Sequence, residues 1–164
     1  MTEFQPAIDL DVGQWLNTKA PITLSALRGK VVFIVVFQML CQGCASTALP
    51  QARKVRSTFT AGDLAVIGLH SVFEHHEAQG PVVALQAFLQ EYHIDFPVGI
   101  DADARPGRLP ATMGRYGMQG TPTILLVDHR GRLALNHFGH LDDMALGAII
   151  GSLIAEKNAG QAAG

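Results

Sequence analysis

The sequence lacks long apolar runs, an excess of basic residues and a high density of charge. Its longest unbroken apolar run is the seven residues 31–37, whereas a membrane-spanning helix needs about 20. Twelve lysines and arginines stand against 14 aspartates and glutamates, a net charge of −2, and nucleic-acid-binding domains carry a basic face instead. With 48% hydrophobic and 16% charged residues, intrinsic disorder is excluded. We therefore expect a folded domain with no membrane span and no nucleic-acid partner.

The sequence also shows no leader peptide and no linker between domains. No opening stretch combines a basic end with an apolar segment, so no signal peptide is visible. We expect a cytoplasmic protein, with a periplasmic location if an export signal has been removed. The length of 164 residues suits one domain. The predicted domain covers residues 1–157, and residues 158–164 are expected to be a frayed tail.

Cysteine is scarce, since the chain contains only Cys41 and Cys44. Two cysteines cannot build a disulfide scaffold, and they supply only half of a four-thiolate zinc site. A Cys-x-x-Cys pair of this kind is a redox couple, half of a Cys/His metal site, or an inert structural pair. These three possibilities are distinguished by the secondary structure on which the pair lies.

Strands and helices alternate along the chain, which predicts an α/β domain with a mostly parallel sheet and one antiparallel hairpin near the C-terminus. Val31–Phe37 is short, apolar and β-branched, which is typical of a central strand buried on both faces. Helical spacing begins at Gly43, and Pro50 is expected to bend this helix. Further strands are predicted at 64–69, 96–100, 123–127 and 132–138, further helices at 81–93, 111–116 and 141–156, and a small N-terminal hairpin from residues 15–16 and 22–24.

The cysteine pair lies where a predicted strand meets a predicted helix. Cys41 follows the strand, and Cys44 falls in the first helical turn. Unpaired N–H groups and a partial positive charge at a helix N-terminus favour a thiolate over a thiol. This setting favours redox chemistry over zinc binding, because zinc is usually held on a tight loop or hairpin. Cys41 is predicted to be the attacking sulfur and Cys44 the resolving one.

The residues around the pair resemble a thioredoxin-fold active site. An apolar strand leads into Cys41–Cys44, with the sequence Cys-Gln-Gly-Cys, and Pro50 lies within the helix that follows. Further along, Tyr116–Asp128 contains Thr121-Pro122-Thr123. This segment is similar to the cis-proline segment of the same family and to the strand that follows it.

Residues 64–69 and 92–98 are similar to the extra strand-helix unit of the TlpA-like thiol-disulfide oxidoreductases, a branch related to the alkyl hydroperoxide reductase and thiol-specific antioxidant group. The resemblance covers residues 7–157. It implies a thioredoxin-like α/β fold, in which helices flank a central mixed sheet with an N-terminal hairpin and an inserted strand-helix unit. It also implies exchange of dithiol and disulfide with protein substrates, an upstream reductase as a partner, and no cofactor or metal.

The resemblance assigns roles to individual residues. Cys41 and Cys44 would be catalytic. Pro122 would form a cis peptide bond beside the pair, where it keeps a backbone N–H away from the thiolate. The backbone of Thr121 would pair with an extended substrate strand.

Three positions depart from the family's pattern. Leu40 precedes Cys41, where tryptophan is common. Val35 stands where thioredoxins have a buried aspartate that assists proton transfer, and Thr47 stands where some cytochrome-maturation relatives have glutamate. No obvious acid therefore serves Cys44, so water or another group has to take its proton.

Two other functions compete with this interpretation. A peroxiredoxin-type thiol peroxidase needs the motif Pro-x-x-x-(Thr/Ser)-x-x-Cys, and Ile34 and Gln38 occupy its first two positions here. A redox-inert module would use the same surface to hold an extended peptide.

His70 ends a buried strand and is a candidate for tuning the cysteines. The remaining histidine pairs, at 75–76 and at 137 and 140, are interpreted as parts of surface turns.

Overall fold

The computed structural model describes residues 4–164, so residues 1–3 of the predicted domain 1–157 lie outside the described part. The described chain forms six strands and five α-helices, together with a 3₁₀ turn at Ser25–Leu27 and a π-helical turn at Cys44–Ala48. In chain order the strands and helices are β1 Val12–Leu16, β2 Val31–Phe37, α1 Leu49–Thr58, β3 Leu64–His70, α2 His76–Gln79, α3 Val82–Glu91, β4 Val98–Asp101, α4 Ala111–Arg115, β5 Thr123–Val127, β6 Leu133–Phe138 and α5 Asp143–Ala162.

The six strands form one mixed sheet in the order β1-β4-β3-β2-β5-β6. β3 is parallel to β2 and β4, whereas the pairs β1-β4, β2-β5 and β5-β6 are antiparallel. The prediction of a mostly parallel sheet was therefore wrong. Strands that alternate with helices form parallel pairs only between β2 and β3 and between β3 and β4. The chain reverses direction across residues 17–30, between β1 and β2, and across residues 102–122, between β4 and β5.

Strand β2 lies at the centre of the sheet and separates two apolar cores. All seven of its side chains are buried, as the sequence predicted. Successive side chains point to opposite faces of a strand, so the residues of β2 contribute alternately to the two cores. The backbone that follows β2 is consequently held from both sides. One core contains Phe33, Phe37, Leu49, Leu85 and Ile150, and the other contains Ile34, Val36, Ile67, Met113 and Leu125.

Strand β1 pairs with β4, so the predicted N-terminal hairpin was wrong. Leu16 lies opposite Val98 in an antiparallel register, and residues 22–24 form no strand. The edge of β4 offers unpaired backbone groups that β1 satisfies. Gly99 in β4 permits the close approach, because a Cβ atom there would lie 2.8 Å from the side chain of Val12.

Helix α5 is longer than the sequence pattern predicted, since it continues past residue 156 to Ala162. Its N-terminus is capped by Asp142, whose carboxylate accepts the N–H groups of Met144 and Ala145 at 2.9 and 3.2 Å. Near the other end, the largely buried Lys157 donates to Asp63 Oδ1 over 2.6 Å. This ion pair joins the later turns of α5 to the turn before β3.

Candidate active site

Cys41 and Cys44 form a disulfide just beyond the carboxyl end of β2. Their Cα atoms are 5.2 Å apart, and Cys44 opens the π-helical turn that leads into α1. Cys44 is 0% exposed, whereas Cys41 is partly exposed. The N–H of Cys44 donates a hydrogen bond to Cys41 Sγ over 3.3 Å. The pair therefore lies at a strand-to-helix junction, as predicted, with one cysteine that a partner can reach and one that is enclosed.

The helix after the pair begins as a π-helical turn and continues as α1 around Pro50. Proline has no N–H to donate to the carbonyl one turn earlier, and a widened turn accommodates the gap. The Ser46 hydroxyl donates to the carbonyl of Gln42 over 2.7 Å, and the Thr47 hydroxyl donates to that of Gly43 over 2.6 Å. These side chains satisfy carbonyl groups of the cysteine segment.

The Thr121–Pro122 peptide bond is cis, as the resemblance implied, and it lies beside the disulfide. The carbonyl oxygen of Thr121 is 3.6 Å from Cys41 Sγ. Pro122 lies against the same turn, because a Cβ atom on Gly43 would be 3.6 Å from Pro122 Cδ. Antiparallel pairing of β5 with β2 brings the start of β5, next to Pro122, to the carboxyl end of β2, which leads to the cysteines. The structure thus places the four predicted site residues together, with Cys44 behind Cys41.

Two walls meet in this arrangement, and the surface along which they meet is called the exchange cleft below. The cysteine wall consists of residues 40–44, and the proline wall consists of residues 120–122. Leu40, within the cysteine wall, is 56% exposed, and Phe138, beside the proline wall, is 48% exposed. The ring of Phe138 covers Gly120, where a Cβ atom would lie 3.0 Å from it. The rim of the cleft is therefore partly apolar.

Two buried glutamines that were not predicted from the sequence also belong to this site. Gln38 Nε2 donates to Thr121 Oγ1 over 3.2 Å, and Gln79 Nε2 donates to Gln38 Oε1 over 3.0 Å. Gln79 Oε1 accepts the N–H of Leu40 over 3.0 Å. In the sequence, Gln38 stands out only as a mismatch to the peroxidase motif. The available signal was a polar residue placed between an apolar strand and the first cysteine.

His70 ends β3 close to the segment that leads to the cysteines. The side chain is 1% exposed, and burial lowers the pKa of His70 to about 4. Its Nε2 atom accepts the N–H of Met39 over 3.4 Å, and its ring centroid is 5.2 Å from that of Phe37. The neutral imidazole therefore supports the backbone before Cys41. Its influence on the cysteines stays a prediction.

Because His70 is buried in its neutral form, the stability of the protein should depend on pH. In the unfolded chain this histidine binds a proton near pH 6.5, whereas in the folded protein it does so only near pH 4. As the pH falls through this window the unfolded chain takes up the extra proton, so the free energy of unfolding decreases. The loss amounts to at most about 3 kcal/mol. Urea unfolding from neutral pH down to about pH 4 measures it.

The control variant is His70→Gln, whose amide oxygen keeps an acceptor for the N–H of Met39. Its free energy of unfolding should decrease less over the same pH window, since glutamine does not titrate. Identical pH profiles for the two proteins would show that His70 binds its proton in the folded protein as readily as in the unfolded chain.

The positions that depart from the family's pattern carry no acid, and the histidine pairs do not assemble a metal site. Val35 is fully buried in β2, and the Thr47 hydroxyl is engaged by the carbonyl of Gly43. His137 Nε2 lies 3.2 Å from the carbonyl oxygen of His140. Within residues 4–164, no group of three or more histidines, cysteines and acidic residues is arranged to hold a metal ion.

Comparisons with known proteins agree with this geometry. Residues 5–135 match the AhpC/TSA family. The crystal structure of a thioredoxin-like superfamily protein is 48% identical in sequence, and the match covers 92% of this chain and 96% of that one with a TM-score of 0.88. The crystal structure of a thiol-disulfide isomerase from Corynebacterium glutamicum is 45% identical, covers 91% and 96% of the two chains, and has a TM-score of 0.85.

Curated proteins that are similar in sequence include thiol-disulfide oxidoreductases. The thiol-disulfide oxidoreductase ResA of Halalkalibacterium halodurans is 24% identical over 122 residues, which cover 74% of this chain and 61% of that protein. The chain spans between 17% and 61% of the length of the curated relatives it matches. The predicted thioredoxin-like fold, with a mixed sheet flanked by helices, is confirmed, and so is the resemblance to the TlpA-like branch.

Proposed function

Since the chain belongs to the AhpC/TSA family, we propose that it is a thiol-disulfide oxidoreductase that exchanges dithiol and disulfide with protein substrates. Cys41 and Cys44 are the catalytic pair, and Thr121 and Pro122 bind the substrate. The observation that carries this proposal is the contrast between the two sulfurs. Cys41 is partly exposed and accepts the N–H of Cys44, whereas Cys44 is fully buried behind it. The 45% identity to a thiol-disulfide isomerase supports the same class of reaction.

The order of attack follows from these surroundings. A free backbone N–H at the start of a helix stabilises a thiolate, and the N–H of Cys44 already points at Cys41 Sγ over 3.3 Å. A buried sulfur cannot meet the disulfide of another protein. Cys41 therefore attacks the substrate, and Cys44 attacks Cys41.

Exchange then takes place in two displacements at sulfur. When the protein acts as a reductant, the Cys41 thiolate attacks one sulfur of a substrate disulfide, and the other substrate sulfur leaves as a thiolate. Cys44 loses its proton and attacks Cys41 Sγ, which restores the 41–44 disulfide and releases the second substrate sulfur. Two electrons pass to the substrate. The same steps run in reverse when the protein acts as an oxidant, and the potential of the partner sets the direction.

An extended substrate segment lies across the surface where the cysteine wall and the proline wall meet. The carbonyl of Thr121 faces Cys41 at 3.6 Å, and Pro122 has no N–H, so the backbone of Thr121 is the group that pairs with a substrate strand. The exposed side chains of Leu40 and Phe138 add apolar contact area. An upstream reductase would use the same surface, because it has to reach the same sulfur.

A thiol peroxidase is less well supported than this exchange reaction. Its motif requires a proline and a threonine or serine, and Ile34 and Gln38 fill those positions. Ile34 is fully buried in β2, and the amide of Gln38 is bound to Thr121. A redox-inert module would keep the exchange cleft and lose only the chemistry of the pair.

The extent and location of the protein stay predictions. Within the described residues, no helix has both the length and the apolar character needed to cross a membrane. We retain one domain of residues 1–157, a cytoplasmic location and a periplasmic alternative as proposals.

The reduction potential of the 41–44 pair tests the proposed function. The protein is equilibrated in glutathione and dithiothreitol buffers of graded potential, quenched with acid, alkylated and weighed by mass spectrometry. We expect a two-electron transition above about −300 mV, as exchange-active pairs show. A pair that stays oxidised below about −300 mV behaves as a structural disulfide, and that result would favour the inert module.

A further inference from the structure

A buried pair of side-chain amides lies beside the exchange cleft. Gln38 directly follows β2, and Gln79 is the last residue of α2. Gln38 is 2% exposed and Gln79 is 1% exposed. Gln38 Oε1 accepts hydrogen bonds from the N–H groups of Phe73 and Glu74 and from Gln79 Nε2, at 3.1, 3.3 and 3.0 Å. Gln38 Nε2 donates to Thr121 Oγ1 over 3.2 Å.

Gln79 extends this network to the cysteine wall. Its Oε1 atom accepts the N–H of Leu40 over 3.0 Å, and its Nε2 atom also donates to the carbonyl of Glu74 over 2.7 Å. A continuous chain of hydrogen bonds therefore runs from the backbone before the first cysteine, through both amides, to the hydroxyl of Thr121. A buried amide that loses its hydrogen-bond partners costs free energy. The hydrogen-bond network therefore holds the segments that it joins at fixed distances.

The network joins three segments that are far apart in sequence, namely residues 38–40, residues 73–79 and Thr121. The hydrogen bonds of the two amides go to backbone groups, to each other and to a hydroxyl, and none goes to a sulfur. We propose that Gln38 and Gln79 are positioning residues that set the spacing between the two walls of the exchange cleft. The inference rests on the proposed exchange function and assigns these residues an effect on protein disulfides in particular.

The reason for this selectivity is geometric. A small disulfide needs access to Cys41 Sγ alone. An extended peptide has to pair with the backbone of Thr121, pass Leu40 and present its sulfur to Cys41 at the same time. A change in the distance between the walls therefore slows the reaction with a protein more than the reaction with a small molecule.

The main variant is Gln38→Met, which has a similar length and no hydrogen-bonding amide. The reduced protein is mixed with insulin and, separately, with 5,5′-dithiobis(2-nitrobenzoate), and the second-order rate constants are measured. We expect the insulin rate to fall about tenfold, the size expected if the displaced backbone of Thr121 loses one hydrogen bond to the substrate. The rate with the small disulfide should stay within about twofold of wild type.

Gln51→Met is the matched control. Gln51 is also a buried glutamine, and its Nε2 atom donates to the carbonyl of Leu141 and to Asp143 Oδ1 at 2.6 and 2.9 Å. It joins α1 to the start of α5 and makes no hydrogen bond to either wall. This variant also replaces a buried, hydrogen-bonded amide with methionine, and it should keep both rates.

Two further variants separate positioning from folding. Gln38→Glu keeps an acceptor for all three N–H donors and can accept the Thr121 hydroxyl proton, so its insulin rate should return to within about threefold of wild type. Thr121→Val removes only the hydroxyl. If Gln38 acts through that hydroxyl, the double variant with Gln38→Met reacts with insulin no more slowly than Gln38→Met alone.

Three results would overturn the inference, and they differ from one another. An unchanged insulin rate in Gln38→Met would show that the network does not set the cleft. An equal fall of both rates would show a structural role without selectivity. If wild-type protein reacts with neither disulfide, the proposed exchange function fails, and the inference fails with it.

Discussion

The Cys44→Ser variant is expected to accumulate covalent complexes with its partners, and the Cys41→Ser variant is not. When Cys41 attacks a substrate disulfide, the mixed disulfide is normally resolved by Cys44. Without Cys44 the complex has no intramolecular exit, so it rises from a trace to a major species. Without Cys41, the remaining sulfur is fully buried and cannot begin the exchange.

Non-reducing gels of acid-quenched cell extracts measure this difference. Higher bands should appear with Cys44→Ser, disappear when a reductant is added, and be weak in wild type. Bands in both variants, or in Cys41→Ser alone, would reverse the assigned roles. An absence of bands in both variants would favour the redox-inert module.

The central part of the fold could be predicted from the sequence because it is encoded locally. β2 and β5 have the predicted bounds, 31–37 and 123–127. Both are short apolar runs, and such runs fit a strand buried on both faces of a sheet. The junction of β2 with a helix also placed Cys41 and Cys44 correctly relative to the strand.

Features that depend on distant partners were not predictable in the same way. β1 pairs with β4 across about 80 residues of chain, and no local pattern records that pairing. The bonds of Gln38 reach residues 73, 74, 79 and 121, so its role becomes visible only when the chain is folded.

The proline wall is an intermediate case. Composition and spacing do not place Thr121 and Pro122 beside the cysteines, and the resemblance to the thioredoxin family supplied that expectation. The structure puts the Thr121 carbonyl 3.6 Å from Cys41 Sγ. Antiparallel pairing of β5 with β2 explains this approach in physical terms, because it brings the start of one strand to the end of the other.

Replacing Cys41 should have the largest effect on turnover. We expect Cys41→Ser to lose at least about 1,000-fold in the rate of protein disulfide reduction, since removal of an attacking nucleophile commonly costs this much or more. A serine hydroxyl cannot form the mixed disulfide, and the buried Cys44 cannot replace it. Ser57→Ala changes an exposed hydroxyl that bonds only within α1, and it should leave turnover unchanged.

The rate of insulin reduction, with dithiothreitol as the electron donor, is the most direct test of the central claim. Wild-type protein should accelerate the reaction well above the rate with dithiothreitol alone, and Cys41→Ser should give the rate of dithiothreitol alone. Circular dichroism of the variant confirms that it is folded. Equal rates for wild type and a folded Cys41→Ser variant would contradict the assignment of Cys41 as the attacking sulfur and the exchange function built on it.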